Sequence, residues 1–310
     1  MTTDAPQDRG HLLTEQRLDA SSDLDSRSVE KTLRLINDQD ATVAAIVRQA
    51  IPAIADLVET VVAAMRGGGR LIYLGAGTSG RLGVLDASEC PPTFHCDRGR
   101  VIGIIAGGDT ALRHSSEGAE DDVEGARGEL ERLGVGRHDV VIGIAAGGTT
   151  AYVLGGLNLA KRHGTAIGLI CCVQCGMARA SVPNGLDHLI ELPVGPEVVT
   201  GSTRMKAGTA TKLVLNMIST STMVQLGKVW GNLMVDLRVT NSKLRDRAAR
   251  MIMSQSAVSR DTALAFLDQC GGRVKPAMIM AKRGVIAAEA ERLLEVHGQT
   301  LRPIIGRPDP

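Results

Sequence analysis

The stretch "RLIYLGAGTSGRLGVLDASECPPTF", residues 70–94, runs from an apolar strand into a glycine-rich loop, then into an acidic residue beside a cysteine and two prolines. Three readings compete for it: a dinucleotide site, a cradle for a phosphorylated ligand, or a tight turn with Ser79 as the N-cap of the next helix. Gly75, Gly77 and Gly80 match G-x-G-x-x-G after a strand, which is formally the dinucleotide fingerprint. Two features weigh against a dinucleotide. Pro91 and Pro92 are expected to cut the following helix short, whereas a dinucleotide-binding helix packs along the sheet. The acid that would hold the ribose belongs about 20 residues on, yet Asp109 lies 29 residues past Gly80. Thr78 and Ser79 bring hydroxyls to the N–H groups of a helix N-terminus, and with Gly77 they make a compact anion cradle that needs no metal.

The same alternation continues downstream. "RVIGIIAGGD" (100–109), "HDVVIGIAAGG" (138–148), "GTAIGLICC" (164–172) and "LDHLIELPVG" (186–195) are short apolar runs, each near glycine, and the segments between the first four runs are long enough for helices. Near-continuous apolar strands covered on both faces imply an α/β fold built on a parallel sheet. Ligands of such sheets bind beyond the carboxyl ends of the strands, where these glycine-rich turns fall. Two further loops share the character of the first. "AAGGTTAYV" offers Gly148, Thr149 and Thr150, and "VVTGSTRMKAGTA" offers Ser202, Thr203, Arg204 and Lys206 before a long apolar helix. Three such loops on one sheet point to a phosphorylated small molecule gripped from several strand ends.

Composition narrows the class. The chain has 310 residues, with 35 basic against 34 acidic and a formal net charge of +1, so no charge field for nucleic acid or an anionic membrane exists. Aromatics at 2% remove the stacking platforms single-stranded nucleic acid needs. Six cysteines without a disulfide-scaffold spacing suit a reducing cytoplasm. The first 26 residues are polar, without a signal-like apolar core, and no run of about 18 apolar residues follows. Residues 1–25 read as a loosely held arm, or as one that orders only against a partner. From Ser28 to Gly67 the spacing is helical, with Val29, Leu33 and Ile36 among the periodic positions. After Gly201 the chain reads helical to its end.

Two acids stand out. Glu89 adjoins the first loop, and an acid near an apolar turn can act as a general acid; it reads equally as a surface residue at a fraying helix end. Glu120 stands among Glu117, Asp121 and Asp122, a cluster that fits either a solvated face or a site. Cys172 and Cys175 form a lone C-x-x-C, read as buried thiols, and no histidine spacing suits a metal. His95 and His114 are read as structural.

At these residues a family comes into view. "LIYLGAGTSGRLGVLDASECPPTF", "IAGGDTALRHSSEGAEDD", "PEVVTGSTRMKAGTATKLVLNM" and "GKVWGNLMVDLRVTNSKL" together resemble the N-acetylmuramic acid 6-phosphate etherases, bacterial cell-wall recycling enzymes of the sugar isomerase (SIS) fold. The resemblance spans about Leu13 to Gly298. It implies a three-layer SIS domain with a central, mostly parallel sheet over residues 60–225, an N-terminal arm and helices over 1–59, and a C-terminal helical region over 226–310. It also implies a homodimer and the cofactor-free, metal-free removal of D-lactate from a sugar phosphate by elimination and hydration. Glu89 would protonate the leaving oxygen, and Glu120 would serve as the second catalytic carboxylate. Gly77, Thr78, Ser79, Gly148, Thr149, Thr150, Ser202, Thr203 and Lys206 would bind substrate. One departure is visible: the family's serine–glycine–arginine–threonine–proline after the third strand is here Gly147, Gly148, Thr149, Thr150 and Ala151, so a threonine must replace the hydroxyl. Two rivals share the fold, a sugar-phosphate-binding regulator like glucokinase regulatory protein and an aldose–ketose isomerase; neither would release lactate.

Overall fold

The computed structural model describes residues 10–174, 182–237, 239 and 241–308. All five apolar runs form strands: β1 (Leu71–Gly75), β2 (Val101–Ile105), β3 (Val140–Ile144), β4 (Ala166–Cys171) and β5 (His188–Glu191). They make one sheet in the order β2-β1-β3-β4-β5, with every neighbouring pair parallel. Strands β1 and β3 are buried at every position, as a sheet covered on both faces requires. The chain steps from β1 outward to β2, then returns to place β3 on the other side of β1. That reversal is a topological switch point, and a crevice opens there at the carboxyl ends of β1 and β3.

Among the described residues, seven helices accompany the sheet: α1 (Val29–Asp40), α2 (Val43–Gln49), α3 (Ile51–Arg66), α4 (Gly77–Phe94), α5 (Arg127–Arg132), α6 (Ala151–Arg162) and α7 (Lys206–Gln225). Side-chain parity assigns the layers. Leu74 and Val141 join Leu130, Val153 and Leu157 in a core formed with α5 and α6. On the opposite face, Gly83 of α4 lies so close to β1 that a Cβ there would come within 2.9 Å of Tyr73 Cβ, and Gly168 of β4 meets Leu57 of α3. The result is the expected three-layer α/β arrangement.

Three local expectations change. The helical stretch after Ser28 is three helices, not one run. Ser28 caps the first by accepting from the Lys31 N–H, and the Thr42 hydroxyl bonds the Gln39 carbonyl at 2.8 Å where the chain turns between α1 and α2. The arm is anchored at Leu12 and Thr14, which are buried, 6% and 1% exposed. Pro91 and Pro92 do not shorten α4, which runs 18 residues through both. Their φ is preset for helix, and although the Ala87 and Ser88 carbonyls lose the N–H partners one turn on, the helix persists for another turn, where the His95 N–H reaches the Pro91 carbonyl at 3.0 Å. A full-length α4 therefore does not weigh against a dinucleotide, whereas the 29-residue spacing from Gly80 to Asp109 still does.

The chain divides into two compact units, Met1–Ser88 with Gly99–Ser219, and Glu89–Arg98 with Thr220–Pro310. The second is helical, with α8 (Ser242–Gln255), α9 (Arg260–Gln269), α10 (Val274–Arg283), α11 (Ala287–Val296) and α12 (Arg302–Ile305). The helical reading after Gly201 is interrupted at Gly284, whose φ of +67° ends α10. Trp230, Leu237, Ile252, Leu267, Ile279 and Leu294 share this unit's core, and Lys275 is buried in an ion pair with Asp236 at 3.1 Å. Among the described residues, no single helix is long and apolar enough to cross a membrane.

Asp86 on α4 is 5% exposed and accepts hydrogen bonds from the hydroxyls of Tyr73 and Ser219, each at 3.0 Å. Burial pushes its carboxyl above the ordinary value of 3.8, and the two hydroxyls pull only part of the way back. The folded state thus holds this proton more tightly than the unfolded chain, so stability from this group is lost as pH rises from 3.8 through the raised value. Asp86→Asn mimics the protonated form. Its stability relative to the parent chain rises between pH 4 and pH 7 in denaturant titrations; a pH-independent difference contradicts the assignment.

Candidate functional site

Beyond the carboxyl ends of β1 and β3 lies a cavity of about 570 Å³ in the first unit. The glycine loop shapes its floor by close approach. A Cβ on Gly75 would fall 2.7 Å from the Gly80 nitrogen, and one on Gly80 would fall 2.6 Å from Ile105 Cγ1, so α4 can start this near the sheet only with glycine at both places. Gly77 has φ +50° and opens α4. The first-turn N–H groups of Gly77, Thr78 and Ser79 have no carbonyl one turn back to bond, and all three residues line the cavity. The helix dipole and these amides therefore suit the turn to an anion, with Thr78 and Ser79 among the residues that line the cavity beside it.

The other two loops divide. Thr149, Thr150 and Thr203 line the cavity. Gly148, Ser202 and Lys206 are not among its lining residues. The Gly148 N–H is committed to the Ala145 carbonyl at 2.8 Å, and the Ser202 N–H to the Val199 carbonyl at 2.9 Å. Lys206 is 3% exposed, its ammonium donates to Gln39 Oε1 at 2.9 Å, and burial pulls its pKa down. The start of α7 is not an open anion site, because the fully buried Glu197 carboxylate accepts from the N–H groups of Lys206 and Ala207 at 3.0 and 2.9 Å. Cys175 lies outside the described residues.

Glu120 is at the cavity wall. Its backbone carbonyl accepts from the Tyr152 N–H at 3.0 Å, tying it to the start of α6, and its Oε1 lies 3.0 Å from the position a Cβ on Gly77 would take. A carboxylate is thereby held against the first turn of α4. Glu89 is exposed, further along α4, and it opens the segment that belongs to the second unit.

Two cations complete the lining, Arg81, which the sequence reading did not single out, and Arg204 of the third loop. Arg81, three residues after Thr78 and so on the same helical face, lines the cavity while donating to the carbonyls of Leu112 at 3.3 Å and His114 at 3.1 Å. It thus braces the loop that leads to Glu120. Arg204 also lines the cavity and brings a positive charge to it. Leu12, Thr14 and Glu15 line it from the N-terminal segment. No local pattern announced those three, whose spacing from β1 exceeds fifty residues.

A parallel sheet with a glycine-opened helix start and hydroxyl-bearing loops at its switch point is the arrangement expected of an SIS domain. The family model for the glucokinase regulatory protein N-terminal SIS domain matches residues 53–161. An N-acetylmuramic acid 6-phosphate etherase of Synechococcus sp. is 50% identical over 96% of this chain and 93% of its own length. One of Cutibacterium acnes is 50% identical over 92% of this chain and 93% of its own. A phosphoheptose isomerase structure from Neisseria gonorrhoeae aligns at 14% identity, covering 63% of this chain and 98% of that one, with a TM-score of 0.47. The chain belongs to the N-acetylmuramic acid 6-phosphate etherase family.

Proposed function

We infer that this chain is a carbon–oxygen lyase that converts N-acetylmuramic acid 6-phosphate and water to N-acetylglucosamine 6-phosphate and D-lactate. The observation that carries the chemistry is the Glu120 carboxylate at the start of α4, beside the anion-binding turn. The amides and hydroxyls of Thr78 and Ser79 hold the phosphate. With the sugar ring open, the carbon 1 aldehyde acidifies the hydrogen on carbon 2. Glu120 accepts that proton, the carbon 3–oxygen bond breaks, and Glu89 gives the departing lactyl oxygen its proton. Water then adds to carbon 3 of the unsaturated aldehyde while carbon 2 regains a proton, so atoms and charge balance without redox chemistry. The role of Glu120 draws on its place in the cavity, and that of Glu89 on the family motif alone. Incubation with N-acetylmuramic acid 6-phosphate tests the reading: stoichiometric D-lactate supports it, whereas a ketose product or no turnover favours an isomerase or a regulator.

We further propose a homodimer in the cytoplasm. Val29 and Leu33, one turn apart on α1, are 77% and 61% exposed, an apolar pair that association would cover. Sedimentation should give twice the chain mass, and Leu33→Glu should halve it. A chain that sediments as a monomer at micromolar concentration overturns the proposal. The cysteine usage suits the reducing compartment.

A further inference from the structure

The N-terminal segment enters the cavity where nothing in the reaction, as derived above, requires it. Thr14, 1% exposed, has its Oγ1 3.8 Å from the point a Cβ on Gly147 would occupy, and Leu12 Cδ1 is 3.5 Å from the same point. One residue on, Glu15 closes a single 3-10 turn, its N–H bonded to the Leu12 carbonyl at 2.9 Å, and its Oε2 lies 3.6 Å from the Cβ position of Gly201. Residues 12–15 therefore bridge the loops after β3 and before α7, the former from the buried Leu12 and Thr14 and the latter from a carboxylate.

That carboxylate is constrained by the charge of the ligand. A phosphate held at the first turn of α4 is anionic, and so is the lactyl carboxylate, so Glu15 faces neither without repulsion. The cations in the lining, Arg81 and Arg204, suit those groups instead. An ionised carboxylate accepts hydrogen bonds and donates none, so the part of the ligand it can recognise is the part rich in donors: the sugar hydroxyls and the acetamido N–H. We propose that Glu15 is a recognition residue, accepting a hydrogen bond from a hydroxyl or amide N–H of the amino sugar, with Leu12 and Thr14 fixing it in place. The cavity then reads two ends of one molecule, the phosphate at α4 and the donor-bearing sugar chain at Glu15. This rests on the reading of the substrate as an amino-sugar phosphate.

The test measures equilibrium binding of N-acetylglucosamine 6-phosphate and of inorganic phosphate to the full chain, to Glu15→Gln and to Glu15→Ala, with D-lactate kinetics and melting curves alongside. Loss of a hydrogen bond to a charged group is expected to weaken sugar-phosphate binding about 10- to 100-fold, to raise KM correspondingly with kcat less affected, and to leave phosphate binding within about twofold. Unchanged sugar-phosphate affinity in both variants overturns the proposal. So does equal weakening of both ligands, which would make Glu15 a general support of the anion site, and so does loss of the melting transition, which would make it structural. Failure of the unmodified chain to release D-lactate sinks the parent reading and this one with it. An active parent chain with unaltered variants sinks this one alone.

Discussion

Glu120→Gln lowers D-lactate release from N-acetylmuramic acid 6-phosphate by about 10²- to 10⁴-fold, the usual range for loss of a general base. Glutamine keeps the shape of the side chain, and the backbone bond from the Tyr152 N–H to the Glu120 carbonyl is indifferent to the change, so the loop stays docked on α6. What disappears is a basic oxygen beside the first turn of α4. Because that oxygen takes the carbon 2 proton, the variant also loses the exchange of carbon 2 hydrogen for solvent deuterium in N-acetylglucosamine 6-phosphate. Proton NMR in deuterated buffer reads both. Exchange at the parent rate in Glu120→Gln contradicts the role.

The second large effect separates the two carboxylates. Glu89→Gln removes the proton donor for the lactyl oxygen but leaves carbon 2 chemistry intact. Lactate release falls by a similar 10²- to 10⁴-fold, while deuterium still enters carbon 2 of N-acetylglucosamine 6-phosphate within about threefold of the parent rate. An acid needed only for the leaving group has this signature; a residue needed to hold the site together does not. Equal loss of exchange and elimination, or lactate release at the parent rate, would contradict the assignment.

The sheet was legible because its signal is local. Each of the five strands is a short apolar run near glycine, and each appears where its run lies. The α4 cradle was legible for the same reason: Gly77, Thr78 and Ser79 are consecutive, and a strand–glycine–helix junction exposes their amides by geometry alone. Legibility failed wherever a distant partner decides what a side chain does. Lys206 stands in a hydroxyl-rich loop, yet its ammonium is directed to Gln39, 167 residues away in sequence. Glu197 removes the α7 terminus from the set of anion sites through two hydrogen bonds that no spacing rule foretells. Thr14 and Glu15 reach the cavity from a polar segment without periodicity, so pattern reading assigned them to a loose arm. The two prolines of α4 misled in the opposite direction: their fixed φ is itself helical, and α4 runs through both despite the two hydrogen bonds they cannot make.

The central claim is that a carboxylate at the switch point takes the carbon 2 proton of a phosphate-anchored, ring-opened amino sugar and that an ether bond breaks in consequence. One measurement bears on it most directly: turnover of N-acetylmuramic acid 6-phosphate in deuterium oxide, with D-lactate quantified and the sugar product examined by NMR. The expected products are one equivalent of D-lactate and N-acetylglucosamine 6-phosphate carrying deuterium at carbon 2. D-lactate released with the original hydrogen still on carbon 2 would contradict it.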